Sequence, residues 1–123
     1  MVEKLPSDLL QAKMRKYEEL RMNLARILQS MAEAQRELEE AKLVVKELEK
    51  IPDDTELYKQ VGFVLIPIKK EGLIKDLEDR IVNLEAKLGR LKKMKEDIEA
   101  ELSRLAEEIK KIASGKGGVA LGG

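Results

Sequence analysis

The chain has 123 residues, 43% hydrophobic and 39% charged but only 2% aromatic, with 24 basic residues balanced by 24 acidic ones. Without Cys or His it can build no disulfide framework, no thiolate or imidazole metal site and no Ser-His or Cys-His nucleophile. Zero net charge with interleaved signs leaves no basic patch for nucleic acid or an anionic membrane, and Tyr17, Tyr58 and Phe63 are too few aromatics for the core of a compact enzyme domain.

Ala, Glu, Lys, Leu and Arg dominate, the composition of long helices and coiled coils. Residues 1–6 show no apolar segment of the kind a signal peptide needs and are expected to be a flexible N-terminus. Ser7 suits a helix N-cap, with Asp8 in the first turn where a negative charge favours the helix dipole. No Pro or Gly follows until Pro52, which predicts a helix over 7–50. Its apolar residues Tyr17, Leu20, Leu24, Ile27, Met31, Ala34, Leu38, Ala41, Val45 and Leu48 alternate steps of three and four. That 3.5-residue period is the seam of a left-handed coiled coil.

Pro52 followed by Asp53-Asp54-Thr55 ends the helix and starts a turn. The segment 51–69 then predicts a β-hairpin: Leu57 to Val61 alternates, Gly62 turns, and Phe63 to Ile68 is apolar on both faces. Pro67 has no amide to donate, so it belongs at an edge or where the ladder needs no donor. A lone hairpin is marginal in water. Leu57, Tyr58, Val61, Phe63, Val64, Leu65, Ile66 and Ile68 are therefore expected to form an oligomerisation surface, several chains pooling their hairpins into a shared β-barrel that closes the edges. The alternative is an apolar linker docked on its own helices.

A second helix is predicted over 70–113, with the seam Ile74, Leu77, Ile81, Leu84, Leu88, Leu91, Ile98, Leu102, Leu105, Ile109 and Ile112, broken once by Lys95. Lys95 either sets the register as a polar seam residue or snorkels out along its stem. Ser114-Gly115 supplies the stop, leaving 114–123 as a flexible Gly-rich tail. Ser114-Gly115-Lys116-Gly117-Gly118 lacks the Lys-Ser/Thr pair and the flanking strand and helix of a phosphate-binding loop, so no nucleotide cofactor is expected. The acidic side chains lie on solvated flanks with no cavity to shift a pKa, so neither an acid–base pair nor a carboxylate metal site is expected.

The two seams match. Residues whose numbers sum to 122 face one another in every layer, Leu48 with Ile74, Leu38 with Leu84, Ala34 with Leu88 and Leu24 with Ile98 among them. The expected fold is mainly α: a long antiparallel two-helix coiled-coil hairpin with a short β-hairpin between the helices that joins an oligomeric β-barrel. Pairing between chains in the same register satisfies the same arithmetic.

Helix, then Pro52-Asp53-Asp54-Thr55-Glu56-Leu57-Tyr58-Lys59-Gln60-Val61-Gly62, then an apolar strand, Lys69-Lys70-Glu71 and an equal helix resembles the β subunit of prefoldin in its archaeal, single-hairpin class. The resemblance covers Ser7 to about Ile112. It implies an ATP-independent holdase chaperone subunit, cytoplasmic and not an enzyme, in a hetero-hexamer of two α and four β subunits. It further implies that unfolded clients are held at the free ends of the coiled coils and passed to a group II chaperonin. At those ends Lys13 stands opposite Ile109, so Leu105, Ile109 and Ile112 are expected to be incompletely covered, with Leu5, Leu9, Leu10 and Met14 beside them as the client-binding surface. The rival reading is a structural coiled-coil adaptor or tether, which has no need for a strand apolar on both faces.

Overall fold

The computed structural model describes residues 6–122, and side chains over 7–115. Helix α1 spans Pro6–Glu49, strands β1 and β2 span Leu57–Val61 and Val64–Ile68, and helix α2 spans Lys70–Gly122. The chain is thus mainly helical, with one antiparallel β-hairpin between two long helices, as the sequence predicts. Helix α1 opens at Pro6 rather than being capped by Ser7; proline's fixed φ and missing amide suit a first helical position. Helix α2 continues to Gly122, beyond the stop predicted at Ser114-Gly115, and nothing packs on Gly115 to account for the continuation. The Gly-rich run therefore lies within a helix, not in a loop between strand and helix.

Two compact units divide the chain: a hairpin unit, Met31–Arg90, and a terminal unit formed by the described residues up to Ser30 and from Leu91 onward. In the hairpin unit Ala34, Leu38 and Leu84 form a buried cluster, with Ile81 and Leu88 packed against it. These are the layers the constant sum places together, small Ala34 beside large Leu88, so the helices pair within one chain here. Ion pairs close both flanks. Lys42 meets Glu85 at 3.7 Å on the side that follows Ala41 and Leu84, and Arg80 meets Glu37 on the side that precedes Ile81 and Leu38. The flanking pairs are exposed and each contributes little, roughly 0–1 kcal/mol; the apolar seam carries the stability.

Helix α1 ends in a tightened turn, where the Lys50 and Ile51 amides donate to the Glu47 and Leu48 carbonyls at 3.1 and 3.2 Å. The Thr55 amide and hydroxyl both reach the Pro52 carbonyl, at 3.2 and 2.7 Å, and turn the chain toward β1. Lys70, in the first turn of α2, has its side chain only 13% exposed. Its ammonium donates to the Ile51 carbonyl at 2.9 Å and to the Asp53 carboxylate at 3.1 Å, tying the exit of α1 to the start of α2.

In the terminal unit the seam persists: Ile27 and Leu105 are buried, while Tyr17, Leu20, Leu24, Ile98 and Leu102 are half-buried. Lys95 keeps its stem in the seam and directs its amine toward Glu99 at 4.0 Å, the snorkelling arrangement.

Candidate functional site

Among the described residues an open apolar surface lies in each unit. In the hairpin unit the register pairs Leu57 with Ile68, Tyr58 with Pro67, Lys59 with Ile66, Gln60 with Leu65 and Val61 with Val64. Cross-strand partners share a face. One face therefore carries Leu57, Val61, Val64, Ile66 and Ile68 around Lys59; the other carries Tyr58, Gln60, Leu65 and Pro67.

The Lys59 ammonium reaches the Asp76 carboxylate of α2 at 3.0 Å, so its face turns toward that helix. Only the base of the face is covered. Ile68 lies over Gly72, where a Cβ would stand 3.6 Å from Ile68 Cγ1, and Leu57 and Ile68 are half-buried. Beyond them the hairpin is bare on both sides: Tyr58, Val61, Val64, Leu65 and Ile66 are all exposed, Leu65 by 63%. Two five-residue strands with two open edges and apolar residues exposed on both faces are unstable as a free-standing object in water.

Gly62 takes φ 61°, and among the described residues no other has positive φ. Positive φ at the first of two central residues is the pattern of a type II′ hairpin turn, so the turn consists of Gly62 and Phe63. This corrects the expectation that Phe63 begins the second strand. It is the turn's second residue and is 99% exposed.

In the terminal unit, Met14, Tyr17, Ala106 and Ile109 line an open groove of about 380 Å³ with Glu18 and Lys110 at its rim. A shallower hollow on α1, lined by Met14, Arg15, Glu18, Glu19 and Met22, adjoins it through shared residues. Of the expected client-binding residues, the structure brings together Met14 and Ile109. Leu9, Leu10 and Ile112 do not line the groove, and Leu5 lies outside the described residues. Leu105 is a correction: at 4% exposed it belongs to the packed seam. Sequence reasoning missed Tyr17 and Ala106 as parts of this surface, and Met22, a candidate by its flexible side chain, was set aside as lying away from the free ends. Met14, Glu18 and Met22 recur every four residues along one row beside the seam, a signal that could have found Met22.

Lys13 shapes the groove by breaking the seam. Its ammonium bonds the Glu108 carboxylate at 2.5 Å instead of leaving an apolar side chain over Ile109, which stays half-exposed. Glu108 also accepts from Arg104, which bonds Glu101 as well. The hydrogen bond from Lys13 is the main cause holding the Glu108 carboxyl below its ordinary pKa, and Glu101 chiefly holds the Arg104 guanidinium more firmly protonated than usual. Among the described residues no cluster of acidic side chains could hold a metal, and no helix is long and apolar enough to cross a membrane.

Residues 11–116 match the family model described as prefoldin subunit. The chain is 29% identical over 99 residues to the prefoldin subunit beta of Pyrococcus abyssi, covering 80% of this chain and 85% of that one. It is 27% identical over 114 residues to the prefoldin subunit beta of Sulfolobus acidocaldarius, covering 93% and 90%. The crystal structure of the prefoldin beta subunit from Thermococcus strain KS-1 superposes with a TM-score of 0.76 at 29% identity, over 84% of this chain and 90% of the other.

Proposed function

Because the chain belongs to the prefoldin family of chaperone subunits, which assemble with one another, we propose that it is an ATP-independent holdase of the β type. Its hairpin joins those of α-type and other β subunits in a cytoplasmic hexamer of two α and four β chains. Unfolded proteins are held on the apolar surface of the terminal unit and handed to a group II chaperonin, with no chemistry performed on them. The observation that carries the reading is the hairpin, whose exposed apolar residues on both faces are explained by strands of other subunits covering them.

The groove around Met14 and Ile109 suits the second half of the task. An unfolded chain offers apolar segments of no fixed shape, and flexible Met side chains adapt to such partners at small cost. The test combines native mass spectrometry with an aggregation assay. Mixed with the α-type subunit of its own genome, the chain is expected to form one hexameric species that suppresses aggregation of a chemically unfolded protein. Met14→Ser with Ile109→Ser is expected to keep the hexamer and lose most of the suppression. Full suppression by that variant at unchanged mass moves the client surface elsewhere; a hexamer that never suppresses aggregation leaves the adaptor reading standing.

A further inference from the structure

The end of the terminal unit is thinly held. Toward the start of α1 and past Leu105 on α2 no described residue is buried: Leu10, Ile109 and Ile112 reach only half-burial, and Leu9 is exposed. The ion pairs of Arg21, Lys93, Lys95 and Arg104 each stay within one helix. That of Lys13 crosses from α1 to α2, where its ammonium donates to Glu108 Oε1 at 2.5 Å, and both side chains are largely shielded, 26% and 29% exposed. Where apolar contact is this sparse, a bridging charge pair supplies a large share of what joins the two helices.

The pair can open without stranding a charge. Glu108 offers its two oxygens to two partners, Oε1 to Lys13 and Oε2 to Arg104 one turn earlier on α2, and Glu101 holds Arg104 in turn. When Lys13 lets go, Glu108 keeps Arg104 and the long Lys13 stem carries its ammonium into water, so neither group is left shielded and unpaired. We propose that the Lys13–Glu108 bond is a latch that regulates the client surface: closed, the terminal unit offers the groove at Met14 and Ile109; open, the first turns of α1 part from the facing turns of α2, and Leu10 and Ile112 join that surface. The proposal rests on the client reading above and adds its regulation, the strength of the grip following the fraction of chains whose latch is open. Between clients the closed latch limits the apolar area shown to water.

Two substitutions remove the same ion pair with opposite expected results. Glu108→Gln weakens the latch. Lys13→Leu sets an apolar side chain over Ile109, completing the seam and holding the helices together. The chain has no cysteine, so Ile112→Cys added to each variant reports opening through its rate of alkylation by a water-soluble maleimide, read from the mass of this chain in its complex with the α-type subunit. Relative to Ile112→Cys alone, Glu108→Gln is expected to speed labelling by about threefold to fivefold and Lys13→Leu to slow it by a similar factor. Binding of a chemically unfolded protein, measured without the added cysteine and at unchanged complex mass, should tighten and weaken in step. Shifts in the same direction for both variants, or labelling that neither moves, overturn the latch. Labelling that moves as expected while client affinity stays constant overturns the placement of clients at this end, and with it the regulatory role. A wild-type complex that never binds an unfolded protein overturns the holdase reading itself.

Discussion

Leu65→Asp separates folding of the chain from its assembly. In the single chain Leu65 is 63% exposed and sits on the hairpin face turned away from α2, so the substitution touches neither the seam nor the Lys59–Asp76 tie. Its effect on the isolated chain is expected to stay within about 0.5 kcal/mol. On assembly the loss is far larger. Full burial of a Leu is worth roughly 1.5–3 kcal/mol, and with 63% of the residue still exposed, about 1–2 kcal/mol of that remains to be gained when a neighbour covers it. A carboxylate at the same place must be neutralised before it is buried, which at pH 7 costs about 4 kcal/mol for a group of ordinary pKa near 3.9. Together these come to about 5–6 kcal/mol per hairpin, some four orders of magnitude in the association constant. Native mass spectrometry at micromolar concentration should therefore show small species at pH 7 whose circular dichroism is that of wild type. Burial raises the pKa of the introduced carboxyl, so the penalty shrinks as pH falls, to roughly 1–2 kcal/mol for neutralisation at pH 5. Partial recovery of the complex at pH 5 is the expected signature. A Leu65→Asp chain that assembles at wild-type mass at pH 7 refutes the claim that this face is covered in the complex.

The register makes a covalent prediction within the terminal unit: Leu24→Cys with Ile98→Cys is expected to oxidise to an intramolecular disulfide, and disulfide-linked dimers alone at low concentration would mean the seam pairs between chains. In the hairpin unit, Leu84→Ala empties a position 3% exposed and should destabilise the isolated chain by about 2–4 kcal/mol in urea unfolding, against about 0.5 kcal/mol or less for the 63% exposed Val82→Ala; equal effects would contradict the seam. Glu108 has its pKa lowered by Lys13, so its contribution to stability is present above the ordinary carboxylate pKa of 4.5 and is lost as pH falls through the lowered value. The melting temperature of Glu108→Gln should accordingly lie below wild type at pH 7 and converge on it in acid; a gap that persists at pH 2 would mean the carboxylate is not its source.

The helices were legible because a two-helix seam is a one-dimensional pattern. Every buried residue among those described falls at a position the steps of three and four select, from Ile27 through Leu105, since those side chains face another helix. Phe63 was misplaced for a physical reason: its β-propensity argues for a strand, but a single Gly between two apolar runs fits either position of a two-residue turn, and only the φ of Gly62 shows that Phe63 completes the loop. Leu105 was read as loosely covered because Lys13 breaks the seam nearby; the break stops at Ile109, and Leu105, one layer further in, is buried. The groove itself was only half legible, because it lies beside the seam and combines rows from both helices, which periodicity along either one does not report.

The clip made by Lys70 also bears on the order in which the chain folds. Its bond to the Ile51 carbonyl closes a span of 19 residues, whereas the Glu37–Arg80 pair closes 43, and by loop-closure entropy the longer span costs only about 0.7 kcal/mol more. Once the short loop is closed, each further layer of the hairpin unit is added at little extra entropic cost, the regime of local contacts and rapid folding. Synthesis runs the other way. Helix α1 emerges first, and Ala34, Leu38, Ala41 and Leu48 have no cover until α2 residues from Ile74 to Leu88 arrive and fold back on them. A nascent chain of this protein is thus itself an apolar, unpartnered segment for as long as the ribosome takes to reach α2.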